Sequence, residues 1–462
     1  MTSRRKFLAG AGAASILLPA IARAVPSGTT PPISPRLTPV PLQVVATRGR
    51  IPQNPESNSS SYTRFESYIK VTLGPRPVES VRTAFCARMN TGANEAPNYN
   101  SASISAFQLE SSIYPAGLSP IPMTFGGVLN PTISPGASLV ISDPAGYPLP
   151  AGMQVKLQSG AVVAAGSTIP GAGNNAGNGP LYYGYDSASA TSQVNLDSTW
   201  SMPSGGASAY LGFIPLMVLG IPDQPHVAVA IWGDSICWGT GDTNGDTTTG
   251  CIGWAERSMI GASRTAAGVA VTTPFVNLSR SGSTTAVYVS RYTQTCFAVL
   301  PYVSHVICAL STNDVGSQVL ATIQANCQAA WTAARNAGCR VYHTTMTPHT
   351  TSTDSWATAA NQTIVAGYES AFTPGVSGTA TSGAGLTGTR GAFNAWLAAQ
   401  VIAGNLDGVL DVNAAIEDAG NPGKWQTNGS ANWLTGDGLH PLTAGHVAIA
   451  AAEQPVVAAW SV

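Results

Sequence analysis

The stretch His226-Val-Ala-Val-Ala-Ile-Trp-Gly-Asp-Ser235 decides the fold of the second half of this 462-residue chain. Its first seven residues are mostly apolar without alternation, which is typical of a strand buried on both faces of a sheet. The glycine that follows permits a tight turn into Asp234 and Ser235. At such a strand-to-helix turn the serine hydroxyl would be lifted above the sheet edge, although an isolated Asp-Ser pair is more often a helix N-cap.

Further strand-like runs follow along the chain, with helical patterns between them. The predicted strands are His226–Trp232, Pro274–Leu278, His305–Leu310, Arg340–Thr345 and Gly408–Val412. The predicted helices are Trp254–Arg264, Val315–Ala337, Trp356–Ala371, Ala392–Ala403 and Thr443–Trp460. This alternation predicts a parallel sheet with helices on both faces. Ligands of such sheets bind at the carboxyl ends of the strands, where Ser235 lies.

Two later strands also end in residues that could stabilise a developing oxyanion. Gly282, after the second strand, could offer an unobstructed backbone N–H, and Asn313, after the third, could offer its side-chain amide. Each of these residues taken alone is more often part of an ordinary turn or helix cap. Asp314 next to Asn313 would cap the following helix or brace the loop.

The segment Asp437-Gly-Leu-His440-Pro precedes the last predicted helix. His440 could accept the proton of Ser235 and later return it to a leaving group. Asp437, three residues earlier, could bind the other ring nitrogen and set the tautomer. The five residues occur in the order Ser235, Gly282, Asn313, Asp437 and His440, and together they could supply a nucleophile, oxyanion donors, an orienting acid and a base.

In this order the chain resembles the SGNH hydrolases, also called the GDSL esterase family, over residues 223–462. The resemblance implies a flavodoxin-like three-layer αβα domain with a parallel sheet, a Ser235–His440–Asp437 triad, and an oxyanion hole made by Ser235, Gly282 and Asn313. Ser311 departs from the pattern, because the family's third block usually begins with glycine. The insert between Cys237 and Cys251 is a second departure and should reshape the pocket rim. No Gly-x-Ser-x-Gly elbow occurs in the sequence.

The preceding half of the chain differs in composition and in its pattern of apolar residues. Prolines crowd residues 25–60, which are predicted to be a linker or an extended arm. Residues 61–222 contain short alternating or β-branched runs separated by Gly, Pro and Asn, so an all-β accessory domain of sandwich or jelly-roll type is predicted. The hydrolase-like domain then spans residues 223–462.

The first 24 residues have the order of a twin-arginine export signal. Arg4 and Arg5 precede a weakly apolar stretch, and Ala22-Arg-Ala24 is a cleavage pattern. The mature protein is therefore expected in the periplasm or outside the cell. No other apolar run is long enough to predict a membrane span.

Composition excludes some classes of function. Charged residues make up 9% of the chain and the formal net charge is −1, so a nucleic-acid partner is not expected. The six histidines lack metal-ligand spacing, and no metal or cofactor is predicted. Seven cysteines permit disulfides in an oxidising compartment. The options include Cys237–Cys251, Cys327–Cys339 and Cys308–Cys339, and the sequence leaves the pairing open.

The leading interpretation is an exported serine ester hydrolase that removes short acyl groups, such as acetyl, from a carbohydrate. A lipase or arylesterase is the alternative within the same class. A non-catalytic carbohydrate-binding surface protein on the same scaffold is the alternative from another class. Acyl and alcohol specificity, the role of the β-rich region and the oligomeric state are not determined by the sequence.

Overall fold

The computed structural model describes residues 40–52, 54–57, 63–90, 95–97, 106–115, 119–164, 167–173, 182–187, 207–208, 211–212, 214–370 and 388–462. The predicted export signal at residues 1–24 lies outside these ranges, as does the first part of the proline-rich segment. Within the described ranges, no helix is both long and apolar enough to cross a membrane.

The β-rich region consists of short strands. In chain order they are β1 Gln43–Val44, β2 Gly49–Arg50, β3 Asn54–Ser57, β4 Arg64–Thr72, β5 Val78–Phe85, β6 Arg88–Asn90, β7 Glu95–Pro97, β8 Phe107–Pro115, β9 Ile121–Pro122, β10 Thr124–Phe125, β11 Val128–Leu129, β12 Thr132–Ile133, β13 Val140–Ile141, β14 Gln154–Val162, β15 Thr168–Gly173, β16 Tyr182–Ser187, β17 Ala207–Ser208, β18 Leu211–Gly212 and β19 Met217–Pro222.

Two antiparallel sheets of this region pack face to face. One has the order β1-β19-β5-β13, and the other has the order β12-β8-β14-β4-β16-β17 with β9 beside β8. Alternate residues of β4, β8 and β14 pack against β5 and β19 in a common core, which includes Val71, Leu109, Val81 and Val218. Such period-two burial of two facing sheets defines a sandwich, as predicted for an all-β region.

The second half of the chain alternates strands and helices. Its strands are β20 Val229–Gly233, β21 Ser263–Arg264, β22 Ala270–Val271, β23 Phe275–Asn277, β24 His305–Ala309, β25 Arg340–Thr344, β26 Thr350–Ser352, β27 Gln362–Ile364 and β28 Gly408–Leu410. Its helices are α1 Ser235–Trp238, α2 Gly253–Arg257, α3 Thr285–Ser290, α4 Leu320–Asn336, α5 Thr389–Ile402 and α6 Thr443–Ala458. Short 3-10 turns cover Phe297–Tyr302, Thr312–Asp314 and Val412–Ala415.

A six-stranded parallel sheet has the order β2-β23-β20-β24-β25-β28. Successive residues of β20 enter opposite cores: Val229 and Ile231 pack with α2 and α6, whereas Ala230 and Trp232 pack with α3 and α4. The sheet is therefore buried on both faces, which explains why its strands are apolar without alternation. The predicted three-layer αβα architecture is confirmed.

The proline-rich segment contributes to both regions. Gln43–Val44 pairs antiparallel with β19 of the sandwich, and Gly49–Arg50 pairs in parallel with β23 of the six-stranded sheet. Apolar residues of the sandwich, such as Met217 and Leu219, lie in the same core as Trp232 and Val276. Residues 40–462 accordingly form one compact unit.

The prediction of a helix at Trp356–Ala371 is wrong for residues 356–370, which are the part of this range that the structure describes. Thr350–Ser352 and Gln362–Ile364 pair as an antiparallel hairpin instead. Asp354 accepts hydrogen bonds from the backbone and hydroxyl of Thr358 at 3.0 and 2.7 Å, and Trp356 has a φ of +59°. Side-chain bonds of this kind compete with helix formation.

No disulfide joins Cys237 to Cys251, and Cys308, Cys327 and Cys339 are likewise free thiols. Cys237 and Cys251 are fully buried among apolar side chains of the core beneath α2 and α6. Burial raises the pKa of the Cys251 thiol to about 12, so the reactive thiolate is strongly disfavoured there.

Candidate active site

Ser235 lies at the start of α1, directly after β20. Asp234 is the N-cap, and its Oδ1 accepts the backbone N–H of Ile236 at 2.9 Å. Gly233 permits the tight approach of α1, because a Cβ there would lie 2.5 Å from Cys237 Cβ. The N-cap predicted for the Asp234–Ser235 pair is therefore present, and Asp234 provides it. The Ser235 hydroxyl is left available for another partner.

Asp437 and His440 lie on a loop that folds on itself. Asp437 Oδ1 accepts the backbone N–H groups of Leu439 and His440 at 2.9 and 2.8 Å. Gly438 has a φ of +79°, and a Cβ at this position would lie 1.7 Å from the carbonyl oxygen of Thr350. Only glycine tolerates both the positive φ and this close contact, so Gly438 is needed for the shape of the loop.

A continuous hydrogen-bonded line joins the two motifs. His440 Nε2 lies 2.8 Å from Ser235 Oγ, and His440 Nδ1 lies 2.6 Å from Asp437 Oδ2. In the neutral ring, Nδ1–H donates to the carboxylate, which leaves Nε2 to accept the serine proton. This arrangement can activate a hydroxyl as a nucleophile.

The two aspartates beside this line differ in environment. Asp234 is 1% exposed, and burial raises its pKa to about 6. Burial alone would also raise the pKa of Asp437, but hydrogen bonds from the His440 ring and from two backbone N–H groups outweigh it and hold this pKa well below its usual value. Asp437 is thus the carboxylate that stays ionised and faces the imidazole.

Gly282 and Asn313 are brought to the same edge of the sheet. Asn313 Nδ2 donates to the Ser283 carbonyl oxygen at 3.0 Å, which joins the loop after β24 to the loop after β23. Asp314 strengthens this connection by accepting the N–H and hydroxyl of Thr285, both at 2.9 Å. The space around Gly282 is open, and its φ is +76°.

The loop that contains Gly282 is also tied to the serine turn. Arg280 donates its backbone N–H to the Gly233 carbonyl oxygen at 2.9 Å. All five residues singled out in the sequence therefore lie on loops that meet at the carboxyl edge of the sheet, with hydrogen bonds between neighbouring loops.

Comparison with protein families matches this part of the chain. Residues 231–448 match the GDSL-like lipase/acylhydrolase family. This part of the chain belongs to that family. Membership of this family identifies the protein as a carboxylic ester hydrolase. Strand β2 of the parallel sheet, Gly49–Arg50, precedes the matched range.

Solved structures of GDSL proteins resemble the chain at low identity. A GDSL-like lipase from Bacteroides thetaiotaomicron is 14% identical, with 50% of this chain and 87% of that chain covered and a TM-score of 0.32. The acetylxylan esterase Axe2 from Geobacillus stearothermophilus is 15% identical, with 51% and 95% covered and a TM-score of 0.33. A lipolytic G-D-S-L family protein from Veillonella parvula is 17% identical, with 51% and 100% covered and a TM-score of 0.29. No curated protein gives a significant match.

Ser311 adopts a glycine-like conformation in the GDSL domain. Its φ is +103°, in a region that L-residues rarely occupy. Its hydroxyl is buried without a hydrogen-bond partner among the described residues. Serine at this position thus adopts a backbone conformation that glycine would adopt without strain, and the cost is backbone strain.

Several residues that hold the site were not found from the sequence. Tyr288 Oη donates to the Leu278 carbonyl oxygen at 2.6 Å and accepts the Gly233 N–H at 3.2 Å. Trp425 Nε1 donates to the Gly438 carbonyl oxygen at 2.8 Å, and Thr350 donates its backbone N–H to the same atom at 3.0 Å. These residues carry no motif, because each acts through hydrogen bonds to backbone atoms elsewhere in the chain.

The other histidines of the GDSL domain have different surroundings. His446 is buried, accepts the Trp254 N–H at 3.1 Å through Nδ1 and contacts the Thr240 carbonyl oxygen at 3.0 Å through Nε2, so it packs α6 in place. Burial lowers the pKa of His343 to about 4, within the core beside α4. His349 precedes Thr350, which bonds to the His440 loop, and its ring meets Tyr368 edge to face.

Proposed function

We propose that the protein is an exported serine esterase that works through an acyl-enzyme on Ser235. The observation that carries the proposal is the hydrogen-bonded line Ser235–His440–Asp437, with separations of 2.8 and 2.6 Å. Among the described residues, these are the side-chain hydrogen bonds of Ser235 and His440, so the line runs from hydroxyl to imidazole to carboxylate.

In the first half-reaction, His440 Nε2 takes the hydroxyl proton while Ser235 Oγ bonds to the ester carbonyl carbon. The carbonyl oxygen becomes an oxyanion, and the backbone N–H groups of Ser235 and Gly282 and the Asn313 amide stabilise its charge. When the carbonyl re-forms, the ester C–O bond breaks. The alkoxide leaves with the proton that His440 Nε2 donates, and the acyl group stays on Ser235.

In the second half-reaction, a water molecule replaces the alcohol. His440 takes one water proton as the hydroxide oxygen bonds to the acyl carbon, and the same donors stabilise the second oxyanion. The Ser235–acyl bond then breaks, and Ser235 regains its proton from His440. The products are the free carboxylic acid and unmodified enzyme. Asp437 keeps its charge throughout and stabilises the imidazolium formed in each half.

For the substrate, we propose short acyl groups, with O-acetyl groups on a carbohydrate as the first choice. The proposal is supported by the predicted export signal and by the β-sandwich that accompanies the GDSL domain. The Ser235 hydroxyl also bonds to His440 of an exposed polar loop and not to an apolar cover in the described part of the chain. A lipase or arylesterase remains the second candidate within the class.

The test is hydrolysis of 4-nitrophenyl esters of graded chain length and of acetylated oligosaccharides. We expect Ser235→Ala to lower kcat on the order of 10⁶-fold and to abolish labelling by a serine-reactive phosphonate. Ser290→Ala is the matched control, because Ser290 is an exposed serine on α3 whose hydroxyl bonds only to its own helix. Equal rates for wild type and Ser235→Ala would refute the nucleophile, and a preference for long acyl chains would refute the acetyl assignment.

Export is a separate proposal that rests on Arg4 and Arg5. A receptor reads the arginine pair, so Arg4→Lys/Arg5→Lys should retain the protein in the cytoplasm of a bacterium with twin-arginine export. The wild-type chain should reach the periplasm or medium with a new N-terminus near Val25. Unchanged export of the lysine variant would contradict the proposal.

A further inference from the structure

The geometry points to Arg50 as a positioning residue for the nucleophile. The inference rests on the proposed role of Ser235. It assigns a supporting role in the active site to a residue of the N-terminal segment, which lies before the family-matched residues 231–448. Arg50 would act through helix α1, which begins at Ser235, and not by touching the substrate.

Arg50 enters the GDSL domain on an edge strand. Gly49 and Arg50 pair in parallel with Val276 and Asn277 of β23, and Ile51 donates its backbone N–H to the Asn277 carbonyl oxygen at 3.1 Å. A Cβ on Gly49 would lie 2.2 Å from the Leu216 carbonyl oxygen. The glycine therefore lets this strand fit closely against the segment that enters β19, and the backbone from which the Arg50 side chain extends is held in place.

The guanidinium of Arg50 reaches the end of α1. Its Nη1 donates to the Trp238 carbonyl oxygen at 3.3 Å, and its centre lies 4.3 Å from the Trp238 ring centroid. Its Nη2 lies 2.5 Å from Glu256 Oε1, and the two side chains are 5% and 1% exposed. Arg50 thus pairs with Glu256 while it binds the helix end.

A second side chain from the adjacent strand completes the same network. Asn277 Nδ2 donates to the Cys237 carbonyl oxygen at 3.2 Å and to Glu256 Oε1 at 2.9 Å. The other oxygen of Glu256 accepts the Ile252 N–H at 3.1 Å. Glu256 therefore orients both donors, Arg50 and Asn277, toward the last two carbonyl groups of α1.

The helix that carries the nucleophile needs such support. It contains four residues, Ser235–Trp238, and a single turn has no stability of its own. Its last carbonyl groups have no donors within the helix. Arg50 and Asn277 supply donors at this end, while Asp234 caps the other. Loss of Arg50 should let the C-terminal end of the turn shift and carry Ser235 Oγ away from His440 Nε2.

Lysine is a poor replacement for Arg50. The planar guanidinium binds a carboxylate, a carbonyl oxygen and an aromatic face together, whereas an ammonium group is a single compact charge. Arg50→Lys would keep the charge that Glu256 requires in the buried site, but it could not maintain all three contacts. Arg50→Met would remove the charge as well and leave Glu256 unpaired.

The experiment compares Arg50→Lys and Arg50→Met with Arg64→Met in the full chain. Arg64 is the matched control, because it forms a partly buried ion pair with Glu110 at 2.7 Å within the sandwich. For each variant, kcat and KM on 4-nitrophenyl acetate, the rate of phosphonate labelling and the melting temperature are measured. Rates are taken at a temperature where circular dichroism shows each variant folded.

A misplacement of about 1 Å can lower a rate on the order of 10²-fold. We expect Arg50→Met to lower kcat and labelling by about that factor and Arg50→Lys by about tenfold, with KM nearly unchanged. Arg64→Met should lower the melting temperature with wild-type kcat. If Arg50→Met does not fold, Arg50→Lys decides alone.

Wild-type kcat in folded Arg50→Lys would overturn the inference, as would an equal loss of kcat in Arg64→Met. Failure of the proposed function gives a different result, because Ser235→Ala would then retain activity. An inactive Ser235→Ala combined with fully active Arg50 variants would remove the inference and leave the function intact.

Discussion

The two halves of the candidate site, the serine turn and the histidine loop, are built in contrasting ways. Ser235 is 5% exposed, and the residues that hold its turn come from the strands and helices around it. Asp437 has a side chain that is 55% exposed, and its Oδ1 bonds only within residues 437–440. One half depends on buried contacts with strands and helices, whereas the other combines bonds within its own four residues with donors from Trp425 and Thr350 to the Gly438 carbonyl oxygen.

This difference shows where variants should separate activity from stability. Removal of the His440 side chain should alter the reaction with little effect on folding. Changes around the serine turn should affect both, because the same buried contacts support the sheet edge and the nucleophile. The predictions below test this comparison.

The largest effect is expected for His440→Ala in the histidine loop. Removal of the general base should lower kcat on short esters on the order of 10⁶-fold. The melting temperature should change little, because the loop keeps its Asp437–backbone bonds. Kinetics and calorimetry on the same preparation check both parts. A large fall in melting temperature would contradict this prediction, because it would show that the His440 side chain supports folding.

Asp437→Asn should have the next largest effect. The amide oxygen can still accept the Leu439 and His440 N–H groups, but the amide NH₂ would face His440 Nδ1 and favour the wrong tautomer. We expect kcat to fall on the order of 10⁴-fold. Asp418→Asn is the control, because Asp418 also accepts two backbone N–H groups in its own loop, from Gly420 and Asn421. Equal losses in the two variants would refute the role of Asp437.

On the serine side, Asn313→Ala should lower kcat by about 10²- to 10³-fold through loss of one oxyanion donor. It should also lower the melting temperature, since Asn313 Nδ2 joins two loops through the Ser283 carbonyl oxygen. The exposed Asn336→Ala on α4 should change neither quantity. An active but destabilised Asn313→Ala would show that the residue is structural only.

The two aspartates should give opposite dependences of stability on pH. Burial raises the pKa of Asp234 to about 6 from 3.8, so between pH 4 and 6 the folded state binds more protons than the unfolded state and stability falls as pH rises. Relative to wild type, Asp234→Asn should therefore gain little stability at pH 4 and about 1–3 kcal/mol at pH 7. The pKa of Asp437 is lowered, so Asp437→Asn should lose stability over the same range.

Urea unfolding of both variants at pH 4 and pH 7 measures this contrast. The relevant quantity is the difference in free energy of unfolding between variant and wild type at each pH. The same sign of change in the two variants would contradict the contrast between the buried and the exposed carboxylate.

The smallest effect is expected for Ser311→Gly. A φ of +103° costs a non-glycine residue about 1–3 kcal/mol, and the greater flexibility of unfolded glycine offsets about 0.5–1 kcal/mol of the relief. The variant should therefore be more stable by about 1 kcal/mol, with wild-type kcat because Asn313 is retained. Urea unfolding and ester kinetics check it. Lower stability would show that the hydroxyl has an unrecognised stabilising role.

The strands of the parallel sheet could be predicted well, because a strand buried on both faces needs a run of apolar residues that few other structures need. His305–Ala309 and Arg340–Thr344 lie within the predicted ranges. The region after Trp356 could not be predicted in this way. Its composition permits a helix, and the choice of a hairpin depends on side-chain bonds of Asp354 and on pairing of Thr350 with Ile364.

The sequence by itself determined the order of the site residues and the three-residue spacing that lets Asp437 reach the His440 ring, because that spacing is a local property. The tertiary structure alone decided which residues support Ser235. Arg50 and Tyr288 reach its turn from a strand far earlier in the chain and from a later helix. Their contacts depend on the order of strands in the sheet, and no local pattern encodes that order.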